Sequence, residues 1–177
     1  MTTYSGLIDD LRRKLVEYKY TEFQEIPMAN GGTLHAIMTP RRWMVRYVCA
    51  VYEIPTGVTN ATMLTEVFNL IRRQLFVQYA RFPYWKELGT FLVLLCSHEQ
   101  YEQLAVHTDE FKDHSGLHGN VMLGTMLIDH ERFQSSADAT WGLYYSGKHF
   151  TAIARAVREW CKAKSTDSER EVPIVVQ

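Results

Sequence analysis

Six consecutive apolar residues, Phe91-Leu92-Val93-Leu94-Leu95-Cys96, constrain this chain more than any other stretch. No polar side chain interrupts the run, so a strand formed there cannot turn either face to water, and both faces must be covered by other elements. Directly after it, Ser97 and Gln100 stand at the spacing of a capping box. In that arrangement the serine hydroxyl and the glutamine amide each satisfy a backbone N–H that the first turn of a helix leaves free. The stretch from Leu88 to Leu104 therefore reads as a fully buried strand that passes straight into a capped helix, Ser97 to Val106.

The rest of the chain supplies the covering layers. From Ser5 to Tyr18 the residues Leu7, Ile8, Leu11, Leu15 and Tyr18 share one helical face. Asp9 and Asp10, near the first turn, are explained by the helix dipole without a catalytic role. Three strands are expected next, over Glu22 to Met28, Thr33 to Thr39 and Trp43 to Ile54. Asn30-Gly31-Gly32 forms a tight turn between the first two, and Pro40-Arg41-Arg42 a second short connection. In the third strand Val45, Tyr47, Cys49 and Val51 alternate with Met44, Val48, Ala50, Tyr52 and Ile54, so it too has two apolar faces. Arg46 is the one charge in that run, read either as a ligand-binding residue or as a side chain snorkelling to the sheet edge.

Thr59 or Asn60 can cap a helix reaching Ala80. Its apolar residues, among them Met63, Leu64, Val67, Phe68, Leu70 and Ile71, span about half the circumference, wider than the roughly 100° stripe of a surface helix. Such a face is buried between two elements or shared with a second copy, and self-association through this helix is expected. The aromatic connector Arg81 to Lys86 is read as a plug for the end of a core rather than a base-stacking platform. Beyond the capped helix, a strand is predicted over Val121 to Phe133, with Val121, Leu123, Thr125 and Leu127 on one face and Met122, Met126 and Ile128 on the other. A polar turn over Gln134 to Ala139 and a partner strand over Thr140 to Tyr145 follow. Ser146 is expected to cap a last helix whose stripe is Phe150, Ile153, Ala154, Val157, Trp160 and Cys161. Lys164 to Arg170 reads as a solvated linker and Val172 to Val176 as a short apolar tail. The result is one α+β domain over residues 1–164 with a tail over 165–177. Its mixed, largely antiparallel sheet has five to six strands flanked by helices, in the order α-β-β-β-α-β-α-β-β-α.

Charge narrows the partners. Lys and Arg number 19 against 20 acids, which leaves no excess to draw the chain to nucleic acid at long range. The three cysteines, Cys49, Cys96 and Cys161, lie apart in apolar patterns and read as small buried hydrophobes in a reducing compartment. No basic segment followed by an apolar run opens the sequence, and no apolar run approaches the roughly 20 residues of a membrane span, so a cytoplasmic protein is expected.

Chemistry concentrates in one loop. His107, Asp109, Asp113, His114 and His118, with His98 and His130 on neighbouring elements, combine imidazole and carboxylate as zinc, manganese or iron sites do. Gly116 interrupts the pair His114 and His118, and the spacing fits no zinc signature. The order helix, three strands, helix, strand is similar to that of the PD-(D/E)xK nuclease core, which would imply a divalent metal held by strand acids. The acids there are Glu22, Glu25 and Glu53, and Ile54 and Pro55 follow Glu53 where that motif has its lysine. Ser146, Gly147 and Lys148 at a helix start form a candidate anion site. Cys96 and His98, at the end of the buried strand, are kept as further candidates because sites gather at strand ends in α/β sheets. No complete catalytic set emerges. A non-catalytic binding or protein-interaction module without a cofactor is therefore favoured, with a protein partner or a second copy of the chain. The alternative is a metal-dependent hydrolase, phosphodiesterase or nuclease-like, with its site in the loop 107–118.

Overall fold

Strand β4 (Glu87–Cys96) contains the six-residue apolar run and lies inside the sheet. The computed structural model of the chain describes residues 4–40, 45–80, 87–107, 120–138 and 143–170. In chain order the elements are α1 (Ser5–Leu15), β1 (Glu22–Pro27), β2 (Thr33–Met38), β3 (Val45–Glu53), α2 (Ala61–Leu75), β4, α3 (His98–Leu104), β5 (Asn120–Asp129), β6 (Gln134–Asp138) and α4 (Leu143–Arg170). The six strands lie in sequence order across one mixed sheet. β1, β2 and β3 form an antiparallel meander, β3, β4 and β5 run parallel, and β6 returns antiparallel to β5.

Both faces of β4 are covered, as its sequence requires. Phe91, Val93 and Leu95 join Cys49 and Val51 of β3 against α1 and α4. Leu92, Leu94 and Cys96 join Val48, Ala50 and Tyr52 against α2 and α3. The cap of α3 forms as its spacing predicts: Ser97 accepts from the Gln100 N–H, and the Gln100 side chain accepts from the Ser97 N–H. The buried Gln100 amide also donates to the carbonyls of Pro55 and Val58 at 2.8 and 2.9 Å, tying α3 to the loop before α2.

α1 ends in a turn that closes left-handed. The N–H of Lys19 (φ 68) bonds the carbonyl of Val16, and that of Tyr20 bonds the carbonyl of Leu15. This is the pairing of a Schellman motif, here without its usual glycine. Asn60 caps α2 by accepting from the Met63 N–H. Leu64, Val67, Phe68, Ile71 and Leu75 of that helix are buried against the sheet. Met63, together with Phe76 and Val77 in the wider turn that follows α2, stays exposed. No helix among the described residues is long and apolar enough to cross a membrane.

The second half of the sheet differs from the sequence expectation in three places. β5 ends at Asp129 rather than Phe133, and the stretch from Gln134, read as a turn, is the strand β6. Asp129 is the physical reason: its Oδ1 accepts the N–H groups of Glu131 and Arg132, both at 2.9 Å, and closes a turn that Phe133 completes at φ 55. The faces of β5 also shift. A register shift opposite Thr90 and Phe91 sets Met122 and Leu127 on the α2 side and Leu123, Met126 and Ile128 on the α4 side, which strict alternation forbids. Gly124 sits at this bulge, where a Cβ would meet the Phe150 ring at 2.4 Å, so only glycine lets α4 approach this closely. Finally, α4 begins at Leu143, within the expected partner strand, and runs to Arg170 through the stretch read as a linker. Its stripe from Phe150 to Cys161 is buried as predicted. The tail from Val172 lies outside the described residues, as does the aromatic connector 81–86.

Candidate functional site

Side chains with unspent chemistry gather at opposite ends of the parallel strands. At the carboxyl end, Asp129 closes β5 and His98 opens α3 directly after β4. The buried carboxylate of Asp129 lies 2.8 Å from His98 Nδ1 through Oδ2 while its other oxygen closes the turn. Burial alone would raise the pKa of Asp129. The Arg132 N–H, His98 and the Glu131 N–H together outweigh it and hold the carboxyl below its usual range. An ionised carboxylate only accepts, so Nδ1 of His98 carries the proton, and Nε2 is left without a hydrogen bond among the described residues. The pair thus has the base-and-orienter geometry of many catalytic and metal-binding histidines.

The partners that would complete a reaction centre are not beside it among the described residues. Cys96 donates to the carbonyl of Ile128 at 3.4 Å, and burial followed by the charge of Asp129 pushes its thiol up to about 12, which suits packing and not attack. His130 lies in the β5–β6 turn, its N–H on the Cys96 carbonyl. Of the histidine loop, His107 lies just past α3, while Asp109, Asp113, His114 and His118 fall outside the described residues. No three His, Cys, Asp or Glu side chains among the described residues are grouped to hold a metal. The meander acids are dispersed: Glu22 pairs with Arg46, Glu25 with His35, and Glu53 contacts the Tyr4 hydroxyl. Arg46 is committed as well. Its Nε donates to the Thr39 carbonyl and its guanidinium lies 5.1 Å from the Tyr79 ring, so it ties β1, β2 and β3 to the turn after α2.

At the amino end of the same strands a pocket of about 420 Å³ opens between the end of α1 and the start of α4. Glu17, Tyr18 and Lys19 form one wall, Thr39, Pro40 and Tyr47 the second, and Lys148 and His149 the third. Because α4 begins at Leu143, Ser146 lies in its first turn instead of capping it, and Gly147 and Lys148 follow within the helix. His149 is 7% exposed, and its ring stacks on Tyr47 with centroids 4.4 Å apart and planes at 24°. Tyr20 meets it edge-on at 5.6 Å. Yet among the described residues the buried Nδ1 has no hydrogen-bond partner, and neither does the buried hydroxyl of Tyr20. Burial, then the charge of Lys148, lowers the basicity of His149, so the ring is neutral near pH 7.

Lys148 was legible in the sequence as an anion-binding candidate; His149 was missed. Its signal was position: four residues before Ile153 and eight before Val157, it lies on the stripe of α4 that faces the sheet. No family model, curated protein or solved structure matches this chain.

Proposed function

We propose that the protein is a non-catalytic binding module that takes its ligand in the pocket between the end of α1 and the second turn of α4. The observation that carries this reading is His149, a polar ring nine-tenths buried in a pocket wall whose Nδ1 has no partner among the described residues. An unsatisfied buried polar group costs about 1–3 kcal/mol, and a ligand or ordered water that supplies the partner offsets that cost. The pocket volume lies in the range of small-molecule sites, roughly 300–1,000 Å³. Backbone and histidine NMR spectra recorded against a fragment library test the reading: saturable shifts confined to Lys19, Tyr47, Lys148 and His149 are expected. A library that perturbs none of them would remove it. The rotational correlation time of the same sample tests self-association through α2, for which the exposed Met63, Phe76 and Val77 speak; a monomer's value at high concentration sets that part aside.

A second reading is a metal-dependent hydrolase built on His107, Asp109, Asp113, His114 and His118. The geometry of His98 supports it, since a metal-ligating histidine commonly binds through one nitrogen while a carboxylate holds the other. Untagged protein dialysed against zinc or manganese is then expected to retain one equivalent, and His98→Ala, His114→Ala and His118→Ala each to lose it. Retention by all three variants, or by none of the proteins, would sink this reading.

A further inference from the structure

Resting on the pocket reading above, we infer that the ligand is a small phosphomonoester, its phosphate held between Lys19 and Lys148 and its organic part against Tyr18, Pro40 and Tyr47. Two exposed ammonium groups reach the pocket from different elements, Lys19 from the turn after α1 and Lys148 from α4. Neither forms an ion pair among the described residues, unlike Lys14 and Arg46, which are engaged with Glu159 and Glu22. Among the described residues Glu17 is the one acid on the wall and His149 is neutral, so their lining carries a net charge of about +1 and favours an anion.

The backbone at Lys19 points the same way. A left-handed residue at this helix end is ordinarily glycine or asparagine, and a lysine there accepts strain while placing an ammonium group at the pocket. The volume of about 420 Å³ far exceeds what a bare phosphate fills, and the aromatic and proline walls leave room for an attached ring or short chain. His149 supplies the remaining polar contact. Its Nδ1, without a partner among the described residues, donates to a phosphate oxygen in the tautomer that carries the proton there, once the ring edge turns toward the ligand.

Around His149, Glu17, Tyr18 and Lys19 share the pocket lining from the end of α1, Tyr20 and Tyr47 contact the ring, and Lys148 on its own helix is the charge that lowers its basicity; Phe91 of β4 adds only an apolar ring. A bound dianion adds negative charge among them and raises the basicity of the ring. Affinity therefore increases as pH falls through the window between the lowered value of the free protein and the higher one of the complex.

The test is a set of titrations followed by NMR and calorimetry with phenyl phosphate, inorganic phosphate, phenol and sulfate, the last keeping its charge across pH 5–8. Phenyl phosphate is expected to bind more tightly than inorganic phosphate, and both more tightly than phenol. Lys148→Gln and Lys19→Gly should each weaken phenyl phosphate about 10-fold, the size of one charge-assisted hydrogen bond. The glycine variant also relieves the left-handed backbone, so lost binding cannot be blamed on lost folding. Glu17→Gln should tighten binding a few-fold, and sulfate should bind better at pH 5.5 than at pH 7.5. Phenol binding as well as phenyl phosphate, or unchanged affinity in both lysine variants, would overturn the phosphate assignment while leaving the pocket reading intact. Inorganic phosphate binding as tightly as phenyl phosphate would remove the organic half. No shift at the pocket with any probe would overturn both readings.

Discussion

Asp129→Ala is expected to lower the stability of the fold by about 3–5 kcal/mol, the range for stripping one partner from a buried charged network. The carboxylate is 0% exposed and carries three contacts: the N–H groups of Glu131 and Arg132 on one oxygen and His98 Nδ1 on the other. Alanine leaves all three donors facing a cavity, while asparagine keeps the shape and one acceptor oxygen, so Asp129→Asn should cost about half as much. Urea denaturation measures both. A loss below about 0.5 kcal/mol for the alanine variant would mean that the turn closes without the carboxylate, contrary to its geometry. The pH dependence has a definite sign. Because the folded-state pKa is depressed, the contribution is fully present above the unfolded value of about 3.9 and is lost as pH falls through the lower folded value. The urea midpoint of the wild type should thus fall on acidification below about pH 4, and Asp129→Asn should lack that share of the fall.

Asp129 also marks where reading the sequence failed and why. The meander, the two-faced strand β4, the Ser97–Gln100 cap and the core stripe of α4 were legible because each rests on periodicity or on spacing within a few residues. β6 was not. Gln134-Ser-Ser-Ala-Asp138 has turn composition, and it is a strand because Asp129 and Phe133 return the chain alongside β5, a tertiary cause that local propensity does not carry. The β5 faces failed for a similar reason: a bulge set by the register with β4 reverses an alternation that was counted correctly up to Leu123. At the sites, the sequence singled out His98 but could not supply its partner, since Asp129 lies 31 residues away and reaches it only through the parallel pairing of β4 and β5. His149 directly follows the anion candidates Ser146, Gly147 and Lys148, but no local pattern shows that its ring is buried with a nitrogen that lacks a partner among the described residues.

Phe91→Ala and Leu92→Ala should each destabilise the protein, by about 3–5 and 2–5 kcal/mol, because adjacent residues of β4 fill different cores. Phe91 is 1% exposed and pairs in register with Cys49 on one side and Gly124 on the other. Its ring lies 6.3 Å from those of Tyr47, His149 and Phe150, so it backs the floor of the pocket. Leu92, equally buried, faces α2 and α3 and touches none of that floor. The two variants therefore separate what the two faces do. Phe91→Ala opens a cavity behind the Tyr47–His149 stack, lets both rings relax, and should weaken phenyl phosphate binding about 10-fold or more under conditions where the variant is still folded, since small misplacements of contacting groups erode affinity. Leu92→Ala should leave that affinity within about 2-fold of wild type despite a similar loss in urea midpoint. Phe91→Leu, which retains most of the volume, is expected to cost under about 1.5 kcal/mol and restore most of the binding. Equal affinity losses in Phe91→Ala and Leu92→Ala would show that the pocket responds to stability alone. Loss in the first with retention in the second would tie the buried strand to ligand recognition: the two-sided burial demanded by six apolar residues would then build the helical layers on both faces and stiffen, on one of them, the wall in which His149 sits.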